Sequence, residues 1–220
     1  MAEFLTNQDK RTCYCAEVSE GMIGKEICVM GWVQRQRDLG ALIFIDLRDR
    51  TGIVQLAFDD KTDREVFDKA FSARAEYVLC VHGTVRPRGE GAVNLNIPTG
   101  KVEVFVTEFK VLSAAQTPPF EVGTGKKVGD DIALRHRYLD LRRPELQKNI
   151  RMRHEVARVA RQYYYENGFY EIETPMLIKP TPEGARDYVV PSRIHHGCMY
   201  ALPQSPQIYK QLLMLSGLDR

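Results

Sequence analysis

Two short stretches toward the end of the chain hold the side chains best suited to chemistry: Thr181-Pro182-Glu183-Gly184-Ala185-Arg186-Asp187 and Gln204-Ser205-Pro206-Gln207-Ile208-Tyr209-Lys210-Gln211. Proline, glycine and serine punctuate the backbone, so the first reads as a loop and the second as a loop entering a helix. A zwitterion with a second carboxylate needs an anion for its ammonium, a cation for its side chain, and neutral donors between them. Glu183, Lys210, Ser205 and Gln207 supply that set, with Lys210 expected as a buried cation.

The elements that must position these groups fall into two unlike halves. From residue 26 the chain reads as short strands: 26–34, then 42–48 with strict alternation, a turn at Arg50-Thr51-Gly52, and 53–58. A charged segment, 61–74, places Val66, Phe67, Ala70 and Phe71 at helical spacing. Strand patterns return at 77–85 and 101–112, where Val102, Val104 and Val106 face away from Glu103, Phe105 and Thr107. Five strands with a helix between the third and fourth predict an all-β OB-fold barrel, whose second and third strands bind single-stranded nucleic acid. Candidate contacts there are Arg35, Arg37, Phe44, Arg48 and Gln55, with Arg86 and Arg88 at the end of the fourth strand.

Residues 113–134 carry turn chemistry and little apolar period. Gly123-Thr124-Gly125-Lys126 lacks the spacing of a phosphate-binding loop and follows no strand. A helical period then runs from Pro144, with an apolar stripe at Ile150, Val156, Val159, Ala160 and Tyr163 and a stop at Gly168. Residues 169–175 read as a strand ending at Pro175.

Composition sets limits. The formal net charge is +2, so any nucleic-acid surface is local. One basic cluster lies between Arg135 and Arg161, where nine basic residues face three acidic ones. It reads equally as a solvated, ion-paired helix face or as a phosphate-facing surface. Five cysteines at irregular spacing predict neither a disulfide framework nor a metal site, and Cys28 and Cys80 read as small core residues. The first residues lack a signal peptide's apolar region, and no run is long enough to span a bilayer, which predicts a cytoplasmic protein with no membrane partner.

The two loop motifs, together with Phe169-Tyr170-Glu171-Ile172-Glu173-Thr174-Pro175-Met176-Leu177, Arg137 through Pro144 and Gly31-Trp32-Val33, resemble the bacterial type of aspartyl-tRNA synthetase, a class II aminoacyl-tRNA synthetase. The resemblance covers all but about the first dozen residues, which read only as a tail. It implies an OB-fold anticodon-binding domain over 1–115, a linker or hinge over 116–143, and the start of an α+β catalytic domain, an antiparallel sheet with helices, over 144–220. It places Arg37, Phe44 and Gln55 at anticodon bases, with Arg86 and Arg88 nearby. It places Glu183, Ser205, Gln207 and Lys210 around L-aspartate, and Pro175 in a homodimer-interface motif. The implied reaction forms aspartyl-adenylate from aspartate and ATP with Mg²⁺, then transfers aspartate to the 3′ end of tRNA(Asp).

The same resemblance places the second and third class II motifs, with their ATP-binding arginines, beyond residue 220. These 220 residues therefore carry no catalytic residue, and alone they are expected neither to activate aspartate nor to charge tRNA. The alternative is a stand-alone OB-fold RNA-binding protein derived from a synthetase.

Overall fold

Ile43, Ile45 and Leu47 turn to one side of their strand, and Val54, Leu56 and Phe58 turn to the same side of the next. This alternation closes the first half of the chain around an apolar core. In the computed structural model, which describes residues 2–123, 125–180 and 186–220, five strands form a closed barrel in the order β1-β2-β3-β5-β4. They are β1 (Glu26–Asp38), β2 (Ile43–Arg48), β3 (Ile53–Phe58), β4 (Val78–Pro87) and β5 (Val102–Ser113). All neighbours are antiparallel except β3 and β5, which run parallel. This is the expected OB-fold. Gly31 lets β1 approach β2 closely, since a Cβ there would lie 2.3 Å from the Arg48 carbonyl oxygen.

Helix α1 (Arg64–Ser72) lies between β3 and β4 in sequence. Asp63 caps it, accepting from the backbone N–H groups of Glu65 and Val66. Ala70 is buried, and Val66 and Phe67 pack on the core.

Three expectations change. The first dozen residues are not a loose tail. Glu3 pairs with Lys69 and bonds both ways to the Val111 backbone, Thr12 bonds to Cys28, and the buried Asp9 meets Lys110 and His82. Their polar groups dock against β1, β4 and β5. Cys28 and Cys80 are buried by that docked segment, not inside the barrel. Residues 169–175 form no strand, because no second segment pairs with them among the described residues.

The chain divides into two compact units, Met1–Leu146 and Gln147–Arg220. In the first, the stretch before Pro144 packs with the barrel. Val122 is buried and its carbonyl accepts from Arg48 Nη1 at 3.4 Å, while Arg142 Nη1 reaches Glu76 Oε2 at 2.7 Å. Two short helices, α2 (Asp130–Arg135) and α3 (Arg137–Asp140), bury Ala133 and Leu139.

The unit boundary falls inside α4 (Pro144–Glu166), which opens on proline and ends at Gly168 with φ 78°. Phe169 N–H reaches back to the Tyr164 carbonyl, closing the last turn as a left-handed glycine stop does. In the second unit a hairpin joins β6 (Tyr188–Pro191) to β7 (Met199–Leu202), Ile178 bridges to Ala201, and α5 (Gln207–Leu215) follows. Its apolar side chains stay largely exposed, Ile172, Met176, Val189 and Leu212 among them. The basic cluster is substantially ion-paired: Arg137 and Arg143 with Asp140, Arg142 with Glu76, Arg158 with Glu155, and Arg161 with Glu171. No helix is long and apolar enough to cross a membrane among the described residues.

Candidate functional site

Strand register builds a polar belt on the barrel's outer face. In one row Arg37 stands opposite Phe44, Phe44 opposite Ala57, Ala57 beside Phe105, and Phe105 opposite Thr84. In the next, Arg35 faces Asp46, Asp46 faces Gln55, and Glu103 faces Arg86. Gln55 joins the two halves of that row by donating to Glu103 Oε2 at 2.8 Å.

Hydrogen bonds run through the belt without a break. Arg37 Nη2 donates to Asp46 Oδ1 at 3.0 Å and to Gln55 Oε1 at 2.9 Å. Arg86 donates to Glu103 at 2.8 Å and Asp59 at 2.9 Å. Burial pulls the Arg86 guanidinium down, but Asp59 and Glu103 together hold it above its ordinary value. Arg88 is 8% exposed, and burial holds it below the usual arginine value. Its Nε donates to the Val102 carbonyl at 3.0 Å.

Among the described residues, two donors have no acceptor. Arg37 Nε and Arg88 Nη2 are buried without a hydrogen-bond partner. A buried unsatisfied donor costs about 1–3 kcal/mol, so such a group calls for a ligand. Two rings accompany them. Arg37 lies 5.7 Å from the Phe44 centroid and Arg86 4.9 Å from that of Phe105. With Arg35 at the rim, four guanidiniums (Arg35, Arg37, Arg86, Arg88) stand with three carboxylates (Asp46, Asp59, Glu103), so the belt carries little net charge. That favours reading of base edges and stacking over simple attraction of phosphate.

The structure thus gathers Arg37, Phe44, Gln55 and Arg86, and the charges of Glu103, Asp46 and Arg37 all reach Arg88. Arg35 is exposed at the rim, and Arg48 turns away into a buried pair with Glu76. Asp46, Asp59, Glu103 and Phe105 join the site without having been singled out from the sequence. Alternation on the fifth strand already put Glu103 and Phe105 on one face. The missing information was that β5 lies beside β3.

The amino-acid-binding candidates are in the second unit. Ser205 and Gln207 are half-buried at the start of α5. Lys210 is exposed, not buried as expected, and sits three residues after Gln207, hence on the same helix face. Glu183 lies outside the described residues. Pro175 is exposed.

Comparison with known proteins agrees with this architecture. Residues 27–112 match the family model described as OB-fold nucleic acid binding domain, and residues 129–220 match tRNA synthetases class II (D, K and N). An aspartate–tRNA ligase of Ruminiclostridium cellulolyticum is 57% identical over 96% of this chain and 35% of its own length. An aspartate–tRNA(Asp/Asn) ligase of Halothermothrix orenii is 53% identical over all of this chain and 37% of its own. The asparaginyl-tRNA synthetase of Pyrococcus horikoshii, solved with asparaginyl-adenylate, superposes with a TM-score of 0.78 at 27% identity, over 94% of this chain and 45% of that one. The chain therefore spans little more than a third of the curated relatives it matches. With a barrel of the nucleic-acid-binding type, a class II segment after it and this level of identity throughout, the chain belongs to the class II aminoacyl-tRNA synthetases, in the bacterial aspartate–tRNA ligase family.

Proposed function

We propose that the protein is an aspartate–tRNA ligase in which these residues read the anticodon of tRNA(Asp) and grip L-aspartate. The activity is ATP-dependent formation of aspartyl-adenylate, followed by transfer of aspartate to the tRNA 3′ end. ATP and Mg²⁺ serve that chemistry, and no step of it is assigned to the residues described above. A cytoplasmic homodimer is the proposed working form, with Pro175 in the interface motif.

The observation that carries this reading is the pair of unpartnered buried donors, Arg37 Nε and Arg88 Nη2, beside Phe44, Phe105 and Gln55. Bases of a single-stranded loop can stack on the rings and present acceptors to the donors. Glu103 and Asp46 offer acceptors for exocyclic amino groups. At the amino-acid pocket, Lys210 is proposed to pair with the side-chain carboxylate of aspartate. Asparagine would forgo that charge pairing, and a pocket built around a polar group rejects an isostere strongly.

The test is binding of anticodon stem-loops to the 220-residue chain. A stem-loop with the aspartate anticodon should bind tighter than one with the same stem and an unrelated anticodon. Equal affinities for both would remove the anticodon reading.

A further inference from the structure

Register gathers a second set of chemistry-bearing side chains on the barrel exterior. Cys28 on β1 stands opposite His82 on β4, and His82 opposite Glu108 on β5. One row along, Cys80 stands between Met30 and Lys110. Period-two alternation puts this set on the face opposite Ile27, Val29, Leu79 and Val81, which fill the core. The N-terminal segment roofs it. Thr12 exchanges hydrogen bonds with the Cys28 backbone, and Asp9 reaches in to His82 and Lys110.

The two sulfurs lie 3.7 Å apart, and one atom each from Cys28, Cys80 and His82 all fall within 4.8 Å of one another. Two thiolates on a tetrahedral zinc ion, each about 2.3 Å from it, are separated by about 3.8 Å. A disulfide needs about 2.05 Å between sulfurs and here would join diagonal positions, not opposite ones. The observed spacing fits two sulfurs on one metal ion.

We infer that Cys28, Cys80 and His82 form a binding site for one thiophilic divalent cation of the Zn²⁺ class, which staples the N-terminal segment to the barrel. Asp9 is the positioning residue. Its Oδ1 lies 3.0 Å from His82 Nε2 and 3.8 Å from Cys80 Sγ, and a carboxylate on one ring nitrogen supports a histidine that binds a metal through the other, here Nδ1. Lys110 holds both Asp9 oxygens at 2.8 Å. Charge balances: two thiolates and Asp9 offset the divalent ion and Lys110. Soft sulfur and imidazole donors discriminate against Mg²⁺ and Ca²⁺.

Titration of the reduced chain with Co²⁺ tests this directly. One equivalent should give a sulfur-to-cobalt charge-transfer band and intense tetrahedral bands in the visible, displaced by equimolar Zn²⁺. Cys28→Ala and Cys80→Ala should each abolish the bands, while Cys198→Ala, at an exposed position in the second unit, should leave them intact. Asp9→Asn should keep the spectrum but weaken affinity by roughly 10–100-fold. The unmodified chain decides the matter without any variant. A fully reduced protein that takes up no Co²⁺ or Zn²⁺, or that loses its bands with Cys198→Ala, overturns the site.

Discussion

Arg48 and Glu76 meet at 2.7 Å with side chains only 8% and 4% exposed. The other Glu76 oxygen takes Arg142, also at 2.7 Å. Both guanidiniums lie near Trp32, Arg142 at 4.7 Å and Arg48 at 6.0 Å from a ring centroid. One carboxylate thus fastens β2 and the stretch leading into α4 to the same point. Its backbone adopts φ 65°, a conformation unfavourable for glutamate and held in place by that pairing.

Removing this carboxylate strands a buried cation. Glu76→Ala should destabilise the first unit by about 3–5 kcal/mol, the usual cost of leaving one partner of a buried pair alone. Trp32 is the chain's single tryptophan, so its fluorescence reports the change directly. Urea unfolding followed by tryptophan emission checks both. A midpoint unchanged in Glu76→Ala would mean the pair contributes nothing.

The same contacts set where the folded first unit ends. The sequence suggests a linker from residue 116, yet Val122, Ala133 and Leu139 are buried and Arg142 is tied to Glu76. Brief proteolysis should therefore leave a fragment ending near Leu146, well past residue 115. Cleavage should concentrate in the second unit, where, among the described residues, Ala201 is the one apolar side chain fully withdrawn from solvent. A major product ending near residue 115 would contradict the packing described.

The barrel was legible because its code is local. Alternation in residues 42–48 and 53–58 fixes which side of each strand is apolar, and the helix before the fourth strand fixes the topology. Gly168 and Pro144 marked the ends of α4 by backbone conformation alone. The failures share a cause in long-range pairing. Residues 169–175 have strand composition but no described partner. The buried state of Cys28 and Cys80 depends on residues 9–12 returning across the barrel. The β3–β5 pairing that brings Glu103 to Gln55 spans a separation no local pattern encodes. Lys210 and Glu183 were read from a motif, and a motif specifies chemistry without specifying depth.

Asp49 gives the fold a defined acid response. Its carboxylate accepts from the buried Cys15 N–H at 2.7 Å and from the Thr51 N–H and hydroxyl at 2.7 Å each. Burial opposes ionisation, but these donors outweigh it and hold the group below the usual aspartate value. A depressed folded value means the stabilisation is complete above the unfolded aspartate pKa of about 3.9 and is lost as pH falls toward the folded value. Asp49→Asn, which keeps one acceptor oxygen, should cost about 1.5–3 kcal/mol near neutrality. The gap between variant and parent should stay constant above about pH 5 and narrow below about pH 4. Denaturation across that range measures it; a gap that widens in acid would reverse the sign assigned here.

Arg86 and Arg88 are two residues apart, and the structure separates their roles. Arg86 spends its donors on Asp59 and Glu103, whereas Arg88 keeps Nη2 buried and unpartnered. Arg86→Ala leaves two carboxylates without their cation, so its main effect should be on stability. Arg88→Ala should instead weaken binding of the anticodon stem-loop by about 1–3 kcal/mol, the usual worth of a directed contact to a base edge. Salt dependence distinguishes the target of Arg88. Loss of a base contact leaves the slope of affinity against salt unchanged, whereas loss of a phosphate contact lowers it by about one. The near-neutral belt around Arg88 leads to the first outcome. If Arg88→Ala binds the stem-loop as tightly as the parent while Arg86→Ala does not, the unpartnered donor is not where the RNA is read.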